Sequence, residues 1–138
     1  MTTKGRVIKR WMKYSPTFVG VFSTHLSLRK LRRVLIEGVL KRNKEFCCVL
    51  HVDKCHWVGL VFFPALGLVY FDPLGVTQIP RVILKLLKRL RQPIFYNRVG
   101  VQPLQTTLCG EYVCLFLITA RNLSDCDQFV LLLRQFLR

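Results

Sequence analysis

The sequence predicts a single α+β domain over residues 1–138, in which a small mixed or antiparallel sheet is flanked by helices. The chain has 138 residues, the ordinary size of one domain. Hydrophobic residues make up 51% of it, which is enough to form a core. Segments with the patterns of a helix, three strands, a helix, a strand and two helices follow one another without repeats or linkers, and this order is typical of an α+β fold.

The first half of the chain predicts one helix and then three strands. Residues 1–25 are mixed in character, with a turn at Tyr14-Ser15-Pro16 before the apolar segment Phe18–Phe22. The segment Leu28–Val39 predicts a helix ending near Asn43, because its apolar residues recur at helical spacing between basic ones. Three short runs rich in β-branched and aromatic residues then predict strands, at Phe46–Val52, Trp57–Phe63 and Leu66–Phe71.

The second half predicts three helices and one strand. A helix opens at Pro80, a position that proline tolerates, and its apolar side chains share one face. The run Ile94–Arg98 predicts a strand. The apolar segment Tyr112–Ile118 predicts a buried helix that begins near Cys109, and helical spacing over 126–137 predicts a last helix.

The net charge of +15 predicts a polyanionic partner, with nucleic acid preferred over an acidic membrane. Residues 1–44 hold twelve Lys or Arg against the single Glu37, and a second basic group lies in the helix after Pro80. The alternative is a solvated basic surface with no specific ligand. The candidate nucleic-acid contacts are Arg29, Arg32, Arg33, Arg81, Lys85, Lys88 and Arg89.

The start of the chain has no apolar secretory segment, and no run of about 18 apolar residues predicts a membrane span. We therefore expect an intracellular, reducing environment, in which the six cysteines need not form disulfides.

Cys109 is the candidate nucleophile. It is followed by Gly110 and by the predicted helix. A helix N-terminus places partial positive charge and free N–H groups beside the sulfur, which favours the thiolate. A Cys-Gly pair alone is weak support, because most such cysteines are structural.

His56 and Asp72 form the second part of the candidate site. His56 begins one predicted strand, and Asp72 follows the next. If the two strands pair as a hairpin, both residues lie at the same edge of the sheet. A carboxylate beside the imidazole would fix its tautomer and favour its charged form.

These residues, taken in order, resemble the adenovirus protease (adenain) family, which is related to the SUMO and ubiquitin-like deconjugating proteases. The resemblance covers about residues 17–120, and its order of His, acid, Gln and Cys is opposite to the papain order. The motifs that carry it are His56-Trp57, Phe71-Asp72-Pro73-Leu74-Gly75, Gln102 and Cys109-Gly110, with Thr17–Phe22 near the start.

The resemblance implies a role for each matching residue. Cys109 would be the nucleophile, His56 the general base and acid, and Asp72 the residue that orients His56. Gln102 would donate to the oxyanion, with Gln105 as the competing candidate. Trp57 and Gly110 would shape the substrate cleft.

The resemblance also implies a viral endopeptidase that processes capsid or core precursors at Gly-containing sites, in the host nucleus and the virion. No cofactor is required for the chemistry, and DNA is the candidate activator. Adenovirus enzymes also take a peptide activator through a disulfide to a cysteine upstream of the nucleophile. We do not expect that disulfide, because no cysteine lies between Cys55 and Cys109.

Three other interpretations remain at this point. A non-catalytic nucleic-acid-binding protein explains the charge but not the ordered site residues. A ubiquitin-like deconjugating protease is the nearest enzyme alternative. A zinc site is disfavoured, since no Cys-x-x-Cys pair is present and adjacent cysteines on a strand point to opposite faces; its ligands would come from Cys47, Cys48, His51, Cys55 and His56.

Overall fold

The computed structural model describes residues 5–52, 56–75, 78–100 and 109–119. The helices are α1 (Gly5–Trp11), α2 (Leu28–Leu35, continuing as a π-helical segment over Ile36–Arg42), α3 (Arg81–Arg89) and α4 (Cys109–Thr119). The strands are β1 (Phe18–Ser23), β2 (Phe46–Val52), β3 (His56–Phe63), β4 (Gly67–Phe71) and β5 (Ile94–Tyr96).

The described strands form one mixed sheet with the order β1-β2-β3-β4-β5. The centre of the sheet is antiparallel, since β3 pairs with β2 on one side and with β4 on the other. The two edge strands run parallel to their neighbours, β1 to β2 and β5 to β4. The predicted α+β domain with a mixed sheet is confirmed.

Helices cover both faces of this sheet and create two hydrophobic layers. On one face α2 and α3 bury Leu31, Leu35, Ile83 and Leu87 against the sheet. On the other face α1 and α4 bury a second cluster, which includes Cys109. Side chains alternate along a strand, so each central strand contributes to both layers.

The predicted central elements agree with the structure to within a few residues. The strand Phe46–Val52 has the predicted bounds, and the predicted helices at Leu28, Pro80 and Cys109 are present. The strand predicted over Ile94–Arg98 ends at Tyr96. The helix predicted over 126–137 lies outside the described residues.

Residues 1–25 form α1 and β1, and the apolar segment Phe18–Phe22 lies within β1. Helix α1 has only seven residues, and its signal is the pair Ile8 and Met12 at helical spacing, both fully buried. Strand β1 has no alternating burial pattern and contains Gly20 with a φ of 141°. Its parallel pairing with β2 depends on contacts distant in sequence.

None of the helices in the described ranges has both the length and the apolar character needed to cross a membrane.

Helix α4 lies close to the sheet because of two contacts. A Cβ atom on Gly59 of β3 would stand 3.1 Å from Val113 Cγ1 and 3.4 Å from Leu117 Cδ2, so a larger residue there would require these side chains to shift. The rings of Phe71 in β4 and Phe116 in α4 stack with centroids 4.2 Å apart. These contacts fix the position of the residue that begins α4, Cys109.

Replacing Gly59 with valine should push α4 away from the sheet. We expect the free energy of unfolding to fall by about 1–3 kcal/mol, the usual cost of overpacking a core. Chemical denaturation measures it, with Gly5→Ala as the control, because a Cβ on Gly5 would meet nothing closer than 3.6 Å. Equal stability of Gly59→Val and the wild type would contradict this packing.

Candidate active site

The hairpin of β3 and β4 brings His56 and Asp72 together. His56 begins β3, and Asp72 directly follows β4, which runs antiparallel to it. Nε2 of His56 donates a hydrogen bond of 2.8 Å to Oδ1 of Asp72. Both side chains are largely buried, with 22% and 16% of their surfaces exposed. The juxtaposition predicted from the hairpin is confirmed.

Asp72 is held by several further hydrogen bonds. Its Oδ1 also accepts from the backbone N–H of Leu74, at 2.9 Å. Its carbonyl oxygen accepts from the N–H of Gly75, at 2.9 Å. Its backbone N–H donates to Oδ1 of Asn97, at 2.9 Å, and Nδ2 of Asn97 donates to its carbonyl oxygen, at 2.6 Å. Sequence reasoning did not single out Asn97.

Cys109 is the first residue of α4 and is 4% exposed. It lies beside His56, because a hydrogen bond between the two side chains raises the pKa of the imidazole. The structure therefore brings together Cys109, His56 and Asp72 in the order that a thiol nucleophile, its base and an orienting carboxylate require.

The environment of His56 favours its charged form. Burial lowers the pKa of the imidazole, but the hydrogen bonds and the charges of Asp72 and Cys109 outweigh this and raise the pKa from 6.5 to about 10. His56 is therefore an imidazolium at neutral pH. An imidazolium donates from both nitrogens, which matches a carboxylate on one side and a sulfur on the other.

The other cysteines of the described residues have a different environment. Burial raises the pKa of Cys47, of Cys48 and of Cys114, the last to about 12. These thiols remain protonated at neutral pH and are part of the hydrophobic core.

The disfavoured zinc site can be compared with the structure only in part, because Cys55 lies outside the described residues. Cys47 and Cys48 belong to the hydrophobic clusters on opposite faces of the sheet. Across the described ranges, no group of three or more His, Cys, Asp or Glu side chains is arranged to hold a metal ion.

The remaining predicted site residues lie as follows. Trp57 is buried in the same cluster as Cys109, and its ring centroid is 4.2 Å from that of His51. Gly110 is buried in the first turn of α4. Gln102 and Gln105 lie outside the described residues, so their roles stay predictions.

The predicted basic residues lie on the helices of the opposite sheet face. All seven are exposed, and the segments Leu28–Leu35 and Arg81–Arg89 contain no acidic residue. Arg32 of α2 and Arg89 of α3 line a shared cavity of about 140 Å³. Glu37 pairs with Lys41 and Arg42 at the far end of the π-helical segment. Two basic segments distant in sequence therefore form one cationic face.

The fold was compared with known proteins. No protein-family model matches the sequence, and no curated protein matches it. Solved structures do match. The central domain of the uncharacterized Lpg1148 protein from Legionella pneumophila superposes with a TM-score of 0.60 at 18% identity, covering 97% of this chain and 94% of that one.

Two proteases have a similar fold. The ASFV pS273R protease matches with a TM-score of 0.60 at 21% identity, over 91% of this chain and 58% of that one. The C-terminal Ulp1 protease domain, in complex with Smt3, the yeast ortholog of SUMO, matches with a TM-score of 0.59 at 12% identity, over 91% and 66%. This chain has the Ulp1-type cysteine protease fold. It spans less than two thirds of either protease chain, and identities this low establish the fold alone.

The raised pKa of His56 should make stability depend on pH. The folded state holds this proton more tightly than the unfolded chain, so the ion pair stabilises the fold fully below about pH 6.5, and this contribution is lost as the pH rises through about 10. We expect the free energy of unfolding to decrease across that window.

Asp72→Asn is the matched variant for this measurement. Removing the carboxylate charge lowers the pKa of His56, so the slope between about pH 6.5 and 10 should become shallower. The buried thiols contribute a slope of the same sign in both proteins, and the comparison removes it. Identical slopes from denaturant titrations of the two proteins would contradict the assigned ion pair.

Proposed function

We propose that this protein is a cysteine endopeptidase that cleaves protein substrates at Gly-containing sites. The observation that carries the proposal is the hydrogen-bonded series from Asp72 through His56 to Cys109 at the start of α4. The fold shared with Ulp1 and the ASFV pS273R protease supports it.

The chemistry follows from this arrangement. The Cys109 thiolate attacks the scissile carbonyl carbon, and the carbonyl oxygen becomes an oxyanion that accepts hydrogen bonds from the Cys109 N–H and the Gln102 side chain. His56 gives its proton to the leaving amine as the C–N bond breaks, which leaves a thioester on Cys109. His56 then removes a proton from water, and the resulting attack releases the acid and restores the thiolate.

The proposed substrates are proteins. The Ulp1 domain that this fold matches was solved with Smt3, which makes a ubiquitin-like protein or its conjugate one substrate class to examine. The resemblance to adenovirus proteases favours viral capsid or core precursors as the other class, with the host nucleus and the virion as the places of action. We propose precursor processing as the activity and deconjugation as the alternative.

Cleavage of a fluorogenic peptide library rich in Gly-Gly and Gly-Xaa sites tests the proposal. We expect the wild type to cleave a subset of these peptides and Cys109→Ala to cleave none, because the nucleophile is absent. Cys114→Ala is the matched control, since it removes a buried thiol from the same helix and should retain activity. Inactive wild type, or activity that survives in Cys109→Ala, would contradict a Cys109-dependent protease.

A pair of glutamine variants tests the oxyanion donor. Gln102→Ala should lower kcat by about 100-fold or more, the usual loss when one donor is removed, with little change in KM. Gln105→Ala is the matched control and should keep kcat near that of the wild type. The reverse result would assign the role to Gln105, and no loss in either variant would remove both residues from the mechanism.

Nucleic-acid binding is the second candidate function. The cationic face formed by α2 and α3 supports it, because its basic side chains are exposed and the segments Leu28–Leu35 and Arg81–Arg89 contain no acidic residue. This face lies across the sheet from Cys109, so DNA could occupy it without blocking the proposed cleft. DNA bound there is the proposed activator.

Charge reversal on this face should weaken DNA binding. We expect Arg32→Glu combined with Arg89→Glu to raise the Kd for duplex DNA by about tenfold or more and to reduce the salt dependence by about two counterions. Fluorescence anisotropy over a salt series measures both. The control is Arg6→Glu combined with Arg10→Glu on α1, which changes the net charge by the same amount. An equal loss in the two double variants would show that net charge alone governs binding.

A further inference from the structure

Asn97 makes two hydrogen bonds to the backbone of Asp72. It directly follows β5 and is half-buried. Its Oδ1 accepts from the N–H of Asp72, at 2.9 Å, and its Nδ2 donates to the carbonyl oxygen of Asp72, at 2.6 Å. Nδ2 also donates to the carbonyl oxygen of Val99, at 3.1 Å, which ties the amide to its own loop.

The loops that carry these two residues approach each other closely. Gly75 has a φ of 87°, and a Cβ there would stand 2.7 Å from both the Arg98 carbonyl oxygen and the Gly100 nitrogen. A Cβ on Gly100 would stand 2.5 Å from the Leu74 carbonyl carbon. The loop after β4 therefore packs against the loop after β5. The Asn97 side chain connects the two loops through its hydrogen bonds to Asp72.

The chemistry of the contact requires a primary amide of this length. The N–H and the carbonyl of Asp72 need an acceptor and a donor from one side chain, and asparagine supplies both. Aspartate would place oxygen against the carbonyl oxygens of Asp72 and Val99, and alanine would leave both Asp72 groups without this partner.

We propose that Asn97 is a positioning residue that holds the Asp72 carboxylate in hydrogen-bonding register with His56. The inference rests on the proposed function, in which Asp72 orients the catalytic imidazole. The hydrogen bonds of Asn97 go to Asp72 and Val99, and not to His56 or Cys109. Asn97 acts through the backbone of Asp72, whose Oδ1 lies 2.8 Å from His56 Nε2.

The charged groups around His56 allow this effect to be measured. Asp72 and Cys109 raise the pKa of the imidazole, and His51 is coupled to it by charge. Asn97 is neutral, so its replacement by alanine changes the field at His56 only through movement of Asp72. A shift in the titration of His56 therefore reports positioning and not a lost charge.

The test is a titration of the His56 imidazole by NMR in wild type, Asn97→Ala and the neutral control Val99→Ala. The control removes a neighbouring exposed side chain from the same loop. His56→Gln assigns the signal among the three histidines. We expect the titration midpoint of His56 to fall in Asn97→Ala and to stay unchanged in Val99→Ala.

Kinetics on a cleaved peptide add a second readout. We expect kcat to fall by about tenfold to a hundredfold in Asn97→Ala, with KM within about twofold of the wild type, because orientation and not substrate binding is lost. An unchanged His56 midpoint would overturn the proposal, whatever happens to kcat.

Folding of the variants is checked by thermal denaturation. Asn97→Ser retains one polar contact and replaces Asn97→Ala if the latter does not fold. If neither folds, Asn97 is a structural residue and the positioning proposal is wrong. If the wild type cleaves no peptide, the endopeptidase proposal fails, while the NMR titration still decides the positioning proposal.

Discussion

The hydrogen bond between His56 and Asp72 is the contact on which the candidate site depends. It joins the start of β3 to the end of β4, so it exists only because these strands pair as an antiparallel hairpin. The carboxylate keeps the imidazole charged, and the charged imidazole in turn faces Cys109. A shift in the register of the hairpin would separate the two residues and remove the basis of the site.

The sheet separates two surfaces with different chemistry. One face receives α4, whose first residue is Cys109, and the close contact at Gly59 sets how near the helix comes. The opposite face receives α2 and α3, with their basic side chains in solvent. A polyanion on the cationic face and a polypeptide at Cys109 could therefore be bound at the same time, which is the arrangement that regulation by DNA requires.

The sequence predicted those parts of the fold whose signal is local. Strand β2 and helices α2 and α3 have clear local patterns, and a hairpin of two adjacent strands predicts that His56 lies beside Asp72. The pairing of β1 and the contact of Asn97 with Asp72 could not be predicted, because each depends on a parallel pairing at an edge of the sheet. The proximity of Arg32 and Arg89 could not be predicted either, because these residues are distant in sequence and adjacent only through tertiary packing.

The most direct test of the account is the alkylation rate of each cysteine by iodoacetamide at about pH 6, followed by mass spectrometry. We predict that Cys109 reacts much faster than Cys47, Cys48 and Cys114, and that His56→Ala abolishes this advantage while leaving the other rates unchanged. If Cys109 reacts at the same rate with and without His56, the imidazole does not activate the thiol, and the central claim is contradicted.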